Sequence, residues 1–387
     1  MIICILGRQP KLGLAELESR FGNDKVEPVG QGAALVSIEP DQFPHRQLGS
    51  VIKAAKLLNV LPTTDWQKLM QYCAEQLPAH LSSLPEGKLK LGLSAYGLKV
   101  NLKTLQRSGL ELKKTIRGAG RSVRIVPNTA LELNSAQVLH NQLMGELGWE
   151  LLFVAHAGKT YLAQTISVQD VDDYARRDFG RPQRDAFVGM LPPKLAQTML
   201  NLAQAQPAQR VLDPFCGTGV ALQEAALMGC AIYGTDIDER MVRYALDNLQ
   251  WLQQTYHIDF DWHLEVADAT TAVWQQPIGS VVTETYLGKP LTTLPSPDKL
   301  RLITQECNTI VEKFFRNLHG QLKPDTRICV AVPAWFNGRQ FLHLPVIDDP
   351  SKIGYNRVSF SLANNNDLIY HREDQIVARE LLVLISK

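Results

Sequence analysis

A glycine loop and three acids in the C-terminal half carry the residue types and spacing that chemistry needs. Asp213-Pro214-Phe215-Cys216-Gly217-Thr218-Gly219 follows a short, mostly apolar run, Arg210 to Leu212, and precedes a helical stretch, Val220 to Met228. Glycines in a strand-to-helix turn let the backbone approach a ligand, and the start of the helix offers free N–H groups. Asp236 closes the next strand, 17 residues beyond Gly219, in Gly234-Thr235-Asp236-Ile237-Asp238. A carboxylate there can hold both hydroxyls of a ribose. Asp268, in Val266-Ala267-Asp268-Ala269-Thr270, ends the third strand and can accept from an adenine amino group. Taken singly, such acids serve to cap helices; three of them at the carboxyl ends of three successive strands point to a ligand.

A glycine loop alone also belongs to dinucleotide-binding enzymes. Two features favour S-adenosylmethionine instead. Asp213 lies before the glycines, where the ammonium end of that ligand would be, and Leu222 stands where the dinucleotide fingerprint has its third glycine. The cofactor-binding candidates are therefore Asp213, Phe215, Gly217 and Gly219 of the loop, Asp236 with its neighbour Ile237, and Asp268 with its neighbour Ala269.

Alternating elements must position these residues. From Leu191 onward, strand patterns (Ala231–Thr235, Leu264–Val266, Ser280–Thr283, Arg327–Val332) alternate with helical ones (Glu239–Leu252, Leu300–Leu318), and a hairpin closes the chain across His371-Arg372-Glu373-Asp374. That alternation predicts an α/β fold, a doubly wound, Rossmann-like sheet with helices on both faces. Before it, residues 1–85 read as a small α+β region, with strands at Met1–Leu6 and Ala33–Ile38 and a helix over Leu12–Phe21. Residues 86–167 form a second unit: strands at Lys90–Tyr96 and Val123–Val126, helices over Leu102–Ile116 and Ser135–Leu147, and a hairpin from Leu151 to Ala163. The Asp- and Arg-rich stretch 168–190 reads as a connecting segment to the domain over 191–387.

The chain has 387 residues, 45% hydrophobic and 20% charged, with a net charge of +1, the values of an ordered protein of more than one domain. No apolar run is long enough for a membrane span, and the first residues read as a strand rather than a leader. Six scattered cysteines without a CxxC pair argue against a disulfide framework and a zinc site, and place the chain in a reducing cytosol. His140, His257, His263 and His371 show no ligand spacing, so no metal is expected. The charge is unevenly spread: Lys99 to Arg124 holds eight basic residues and one acid, Glu111. Such a run is either a solvated face or a polyanion site, and Lys113, Lys114, Arg117 and Arg121 are its RNA-binding candidates.

The loop and acids resemble those of class I S-adenosylmethionine-dependent methyltransferases. More narrowly, the chain resembles the THUMP-associated tRNA guanine-N2 methyltransferases. That resemblance rests on Tyr174-Ala175-Arg176-Arg177-Asp178, Arg181-Pro182-Gln183-Arg184-Asp185 and Gly189-Met190-Leu191-Pro192-Pro193-Lys194-Leu195-Ala196, just before the loop, and is specific from about residue 170 to 290. It implies that 168–190 joins an RNA-binding part to the catalytic domain and covers one side of the cofactor. It also implies that 86–167 is a THUMP-like module gripping the acceptor end of tRNA. The expected partner is nucleic acid, namely tRNA; a small accessory subunit is compatible with this reading, a membrane is not expected, and the setting is cytoplasmic.

Enzymes that methylate an exocyclic amino group usually carry Asp/Asn-Pro-Pro-Tyr/Phe after the fourth strand. The acid or amide accepts from the amino group, and the aromatic ring stacks on a flipped base. Here that strand ends Val282-Thr283-Glu284-Thr285-Tyr286-Leu287-Gly288, without the prolines. Glu284 is preferred as the acid because it keeps a carboxylate; aligning on Tyr286 puts Thr283 there instead. Glu284, Thr283 and Tyr286 are thus the catalytic candidates. Cys216 reads as loop packing, and Trp335-Phe336 as either base-pocket wall or core. The leading function is methylation of guanosine N2 in tRNA; the alternatives are a DNA amino methyltransferase and a non-catalytic RNA-binding protein that retains the cofactor fold.

Overall fold

The structure, a computed structural model, describes residues 1–185, 190–291, 293–372 and 375–387. It divides into two compact units: Met1–Leu14, Phe21–Arg46 and Ser50–Asp173 form one, and Ala15–Arg20, Gln47–Gly49 and Tyr174–Lys387 the other. In chain order the first elements are β1 (Ile2–Leu6), α1 (Pro10–Phe21), β2 (Val26–Pro28), β3 (Ala33–Val36), β4 (Val51–Leu61), α2 (Trp66–Leu81), β5 (Leu89–Tyr96), α3 (Leu102–Gly118), β6 (Val123–Ile125), α4 (Ser135–His140), β7 (Gly148–His156) and β8 (Lys159–Val168).

These strands make one sheet in the order β2-β3-β1-β4-β8-β7-β5-β6. Strands on either side of residue 85 therefore share a sheet, joined where β4 runs antiparallel to β8. The sequence division at 85/86 is not a break in hydrogen bonding, because β8 lies far along the chain from β4 and no local pattern shows their pairing. The helix expected over Ser135–Leu147 stops at His140, capped at its start by Asn134 and Gln137. Helix α3 is amphipathic: Leu105, Leu112 and Ile116 are buried, and Ser108 accepts from the Trp66 indole at 2.9 Å.

A buried charge pair lies in this sheet. Lys53 on β4 pairs with Glu150 on β7, and both side chains are almost wholly enclosed. Ser94 and Thr165 each donate to the same carboxylate at 2.6 Å, so no lone charge is left in the interior.

The second unit continues with α5 (Val171–Phe179), α6 (Pro193–Leu202), β9 (Arg210–Asp213), α7 (Val220–Leu227), β10 (Ala231–Asp236), α8 (Glu239–Tyr256), β11 (Trp262–Val266), β12 (Ser280–Glu284), α9 (Pro297–His319), β13 (Arg327–Phe336), β14 (Phe341–Leu342), β15 (Tyr355–Arg357), β16 (Ile369–Tyr370) and β17 (Val377–Ser386). Helix α5 begins in the stretch read from sequence as a connector. The sheet runs β11-β10-β9-β12-β13-β17-β15. Strands β9 to β13 are parallel and β17 is antiparallel to β13. Right-handed crossovers on the two sides of β9 and β12 place α7 and α8 on one face and α9 on the other. Helix α9 buries Cys307, Val311, Phe314, Phe315 and Leu318 with Leu212, Val281, Ile328 and Leu382 of the sheet. The closing hairpin is present as β16 and β17; its Glu373 and Asp374, like Gly189 of the Gly-Met-Leu-Pro-Pro stretch, lie outside the described residues. Among the described residues no helix is long and apolar enough to cross a membrane.

Removing one member of the buried pair should be costly. Lys53→Met leaves the Glu150 charge enclosed, and urea denaturation should show a loss of about 3–5 kcal/mol. Adding Glu150→Gln to that variant should recover part of the loss.

Candidate functional site

The chain winds from β9 through β10 to β11 in one direction across the sheet, then returns to place β12 and β13 on the other side of β9. In doubly wound sheets a crevice opens at that reversal, beyond the carboxyl ends of the strands, and ligands bind there. Asp213 ends β9, Asp236 ends β10 and Glu284 ends β12. Register puts Asp213 opposite Gly234, Asp236 opposite Val266 and Glu284 opposite Ala331, so the three acids share one edge.

The loop after β9 is held by the acids it was expected to accompany. Gly217 has φ +50° and Gly219 φ +81°, and a Cβ on Gly219 would stand 3.2 Å from Cβ of Ala245 on α8. Gly217 N–H donates to Asp236 Oδ2 at 2.9 Å, and Asp238 N–H to Oδ1 at 2.9 Å. Asp236 does not cap α8; Asp238 does, accepting from Arg240 N–H at 2.8 Å. Burial pushes the Asp236 carboxyl above its usual range, against the pull of these amides.

Asp213 is enclosed, 3% exposed, and accepts from Thr283 Oγ1 at 2.6 Å and Phe215 N–H at 3.3 Å. Burial pushes it up to about 7, and among the described residues no cation pairs with it. A buried acid lacking a cation is matched to an ammonium ligand. Ile237 is 70% exposed beside Asp236 and offers an apolar face to a flat ring. Phe215 packs edge to face on Phe314, ring centroids 5.1 Å apart.

Asp268 behaves differently. Its Oδ1 accepts from both the amide and the hydroxyl of Thr270 at 2.8 Å, a local turn, so half of this carboxylate does the capping work. Ala269 is buried in the core and its carbonyl accepts from Asn317 at 3.0 Å, leaving only its amide to face a ligand.

At the end of β12, the hydroxyl of Thr283 is committed to Asp213 and its side chain is fully buried. Glu284, the next residue, is not fully enclosed, with 13% of its side chain exposed. Its Oε2 accepts from Nε of Arg379 on β17, while Oε1 takes no hydrogen bond from a described residue. Burial pushes the Glu284 carboxyl up, and Arg379 opposes that push. Tyr286 packs on the core edge, and Gly288 needs its φ of +85°. Sequence reading passed over Arg379; the available signal was the charged pair Arg379-Glu380 inside the apolar run Val377–Ser386.

The segment Arg177–Asp185 clamps the loop side of the site. Arg177 pairs with Glu224 of α7 at 2.7 Å, with both side chains enclosed. Gln183 N–H donates to Asn248 Oδ1 at 2.9 Å, and Asn248 Nδ2 donates to the Thr218 carbonyl at 2.9 Å, linking segment, α8 and glycine loop. Cys216 is 5% exposed and burial pushes its thiol up, the setting of a residue that packs the loop. Trp335 belongs to the core, fully buried within β13, and does not wall a pocket. Among the described residues no group of His, Cys, Asp and Glu is arranged to hold a metal ion.

The first unit holds the basic run. Lys114 and Arg117 are exposed on α3 and Lys113 is half-buried. Arg121 is turned onto the carbonyls of Leu84 and Pro85, which takes its guanidinium out of the exposed row.

A sheet reversed between β9 and β12, with an acid at the end of each strand lining the crevice, defines a Rossmann-like methyltransferase domain. Comparisons agree. The UPF0020 (RMKL-like) methyltransferase domain matches residues 181–334. The tRNA (guanine(10)-N2)-dimethyltransferase of Methanothermobacter thermautotrophicus is 32% identical over 159 residues, 41% of this chain and 43% of that protein. A Methanothermococcus thermolithotrophicus protein, named "Probable tRNA (guanine(10)-N2)-dimethyltransferase", is 31% identical over 135 residues, 34% of this chain and 75% of that one. The crystal structure of TrmN from Thermus thermophilus superposes with a TM-score of 0.54 at 16% identity, covering 100% of this chain and 99% of that one, a likeness of fold. The chain belongs to this RMKL-like methyltransferase family, and spans less than half the length of the first three curated relatives it matches.

The family implies S-adenosylmethionine as methyl donor, and the residues fit it. Asp213 suits the ammonium, Asp236 the ribose hydroxyls and Ile237 the adenine face. Asp236→Ala should weaken S-adenosylmethionine binding at least about tenfold by calorimetry on folded protein, since charge-assisted hydrogen bonds are worth ~1.5–3 kcal/mol each. Affinity should also depend on pH. Asp213 carries its charge only above about 7, so binding should fall as pH drops through that value, and Asp213→Asn should remove the dependence.

Proposed function

We propose that this chain transfers a methyl group from S-adenosylmethionine to the exocyclic N2 of a guanosine in tRNA. The observation that carries this reading is Glu284, a carboxylate at the carboxyl end of β12 with Oε1 unoccupied by described residues, in the same crevice as Asp213 and Asp236. The relatives' names, tRNA guanine-N2 dimethyltransferases, give the substrate class.

The donor supplies an electrophilic methyl carbon on a sulfonium. The chain's own residues do the rest. Glu284 Oε1 accepts one N–H of the amino group and turns the nitrogen lone pair toward the methyl, a gain in orientation rather than in acidity. As the new N–C bond forms, the methyl carbon's bond to sulfur breaks and leaves a neutral thioether, and the proton shed by the nitrogen passes to the same carboxylate. Tyr286 lies two residues on, where a ring can stack on the base. Thr283 serves this arrangement indirectly, by holding Asp213.

In this reading residues 86–167 of the first unit act as a THUMP-like RNA-holding module, with Lys113, Lys114 and Arg117 of α3 facing phosphates. A cytoplasmic setting goes with a tRNA substrate and with six cysteines that form no disulfide among the described residues.

Labelled S-adenosylmethionine with separate tRNA, rRNA and DNA pools tests the proposal: label should enter N2-methylguanosine in tRNA. Label in DNA would establish the amino methyltransferase of DNA, and no label in any pool would leave a binding-only protein. Glu284→Ala should abolish most turnover while leaving donor affinity nearly intact, because orientation acts in the transition state. Replacing Lys113, Lys114 and Arg117 together should lower the slope of log affinity against log salt by about 0.7–0.9 for each phosphate that is no longer neutralised. An unchanged slope would place the RNA-binding surface elsewhere.

A further inference from the structure

The acid of the catalytic strand lacks the two prolines that usually follow such an acid, and something else must hold it. Proline does so by fixing φ. Here Thr285 and Tyr286 occupy those positions, and Thr285 donates to the Ala331 carbonyl through its N–H at 3.0 Å and its hydroxyl at 3.2 Å, which holds the backbone but not the Glu284 side chain. A glutamate also has one more rotatable bond than the aspartate it replaces, so its carboxylate is free to swing unless it is tied.

Arg379 ties it. The guanidinium is almost enclosed, with 8% of the side chain exposed, and Glu284 opposite it is 13% exposed. Arg379 Nε donates to Glu284 Oε2, and Nη2 donates to the carbonyl of Met190 at 3.3 Å. The planar fork thus engages β12 with one edge and the segment leading to α6 with another, an arrangement a lysine does not reproduce. The pairing depends on β17 running antiparallel to β13: Arg379 sits opposite Pro333, two residues along β13 from Ala331, which faces Glu284. Two charged groups bear on Glu284 from the packed elements, Arg379 from β17 and Asp213 from β9, the second repelling it. A buried ion pair is weak as a source of stability; this one lies in the crevice, on the single carboxylate the chemistry uses.

We propose that Arg379 is a positioning residue, which fixes Glu284 through Oε2 so that Oε1 alone faces the amino group of the substrate. It does by a side-chain ion pair what prolines do by restricting the backbone. The inference rests on the amino-methyltransferase reading for its purpose, yet its geometry is testable without RNA.

The test uses the full chain labelled with ¹³C at glutamate carboxyls, with the Glu284 resonance assigned by its loss in Glu284→Gln. In the unmodified protein Glu284 should titrate well below its midpoint in Arg379→Gln. Removing an opposite charge at close range, with Asp213 still opposing, should raise that midpoint by about 1–3 pH units. Arg379→Lys should fall between the two. Calorimetry with S-adenosylmethionine should give the same affinity for all three proteins, which also shows that each is folded. On tRNA, Arg379→Gln should lower kcat at least tenfold with little change in KM, and the acid limb of its pH profile should move up with the Glu284 midpoint. An unmoved midpoint in both variants overturns the proposal, and so does a parallel loss of donor affinity and kcat, the mark of a merely structural role. If the unmodified protein methylates no pool, the function fails, and the titration still decides whether Arg379 holds Glu284.

Discussion

Asp213 and Thr283 meet across the reversal of the sheet, hydroxyl to carboxylate at 2.6 Å, and much of the site hangs on that bond. Strands β9 and β12 are distant in sequence and adjacent in space, and they pair over two residues of each, Ser280 with Val211 and Val281 with Leu212. In a doubly wound sheet a crevice opens at such a reversal. The bond spans the opening, satisfies a hydroxyl that would otherwise be buried without a partner, and sets Glu284, the next residue, at the rim.

The remaining constraints converge on the same edge. Asp236 fastens the amide of Gly217, so the loop that follows Asp213 is shaped by the acid that ends the neighbouring strand. Asn248 of α8 grips both Gln183 and Thr218, and Arg177 reaches Glu224. Three separate stretches, 177–185, 213–219 and 236–248, are thereby cross-linked by polar bonds that are mostly enclosed and hence strong. The candidate site in this unit is built on carboxylates whose charge is expensive to bury. Burial pushes Asp213 up to about 7 with no cation among the described residues to oppose it, whereas the upward push of burial on Glu284 is opposed by Arg379. One acid waits for a ligand charge; the other already has its counter-ion.

The first unit follows another logic. Its sheet is closed by β4 pairing with β8, and the Lys53–Glu150 pair with Ser94 and Thr165 occupies the interior around that seam. Such a network tolerates only one register, since a slip of one residue would carry Lys53 to the opposite face. Helix α3 lays its apolar side on the sheet and keeps Lys114 and Arg117 in solvent, which makes their charge available to a polyanion.

The elements of the second unit were legible because strands and helices that alternate in sequence carry their own periodicities. The loop Asp213–Gly219 and the acids Asp236 and Glu284 were legible because strand ends are where ligands meet a doubly wound sheet. Local sequence could not separate Asp236 from Asp268: both follow strands, yet one engages a distant glycine amide and the other its own turn. It could not show that Trp335 faces the core, since a strand end and a strand interior read alike there. It could not show that the Arg121 guanidinium is drawn to carbonyls 36 and 37 residues away. It passed over Arg379 because the carboxylate that gives this arginine its purpose lies 95 residues earlier in the chain. What the sequence alone determined is the class of element and the types of side chain at strand ends, both properties of short windows. Which acid meets which partner was decided only by tertiary structure, because hydrogen bonds and ion pairs act over a few ångströms of space, however far apart the partners lie in the chain.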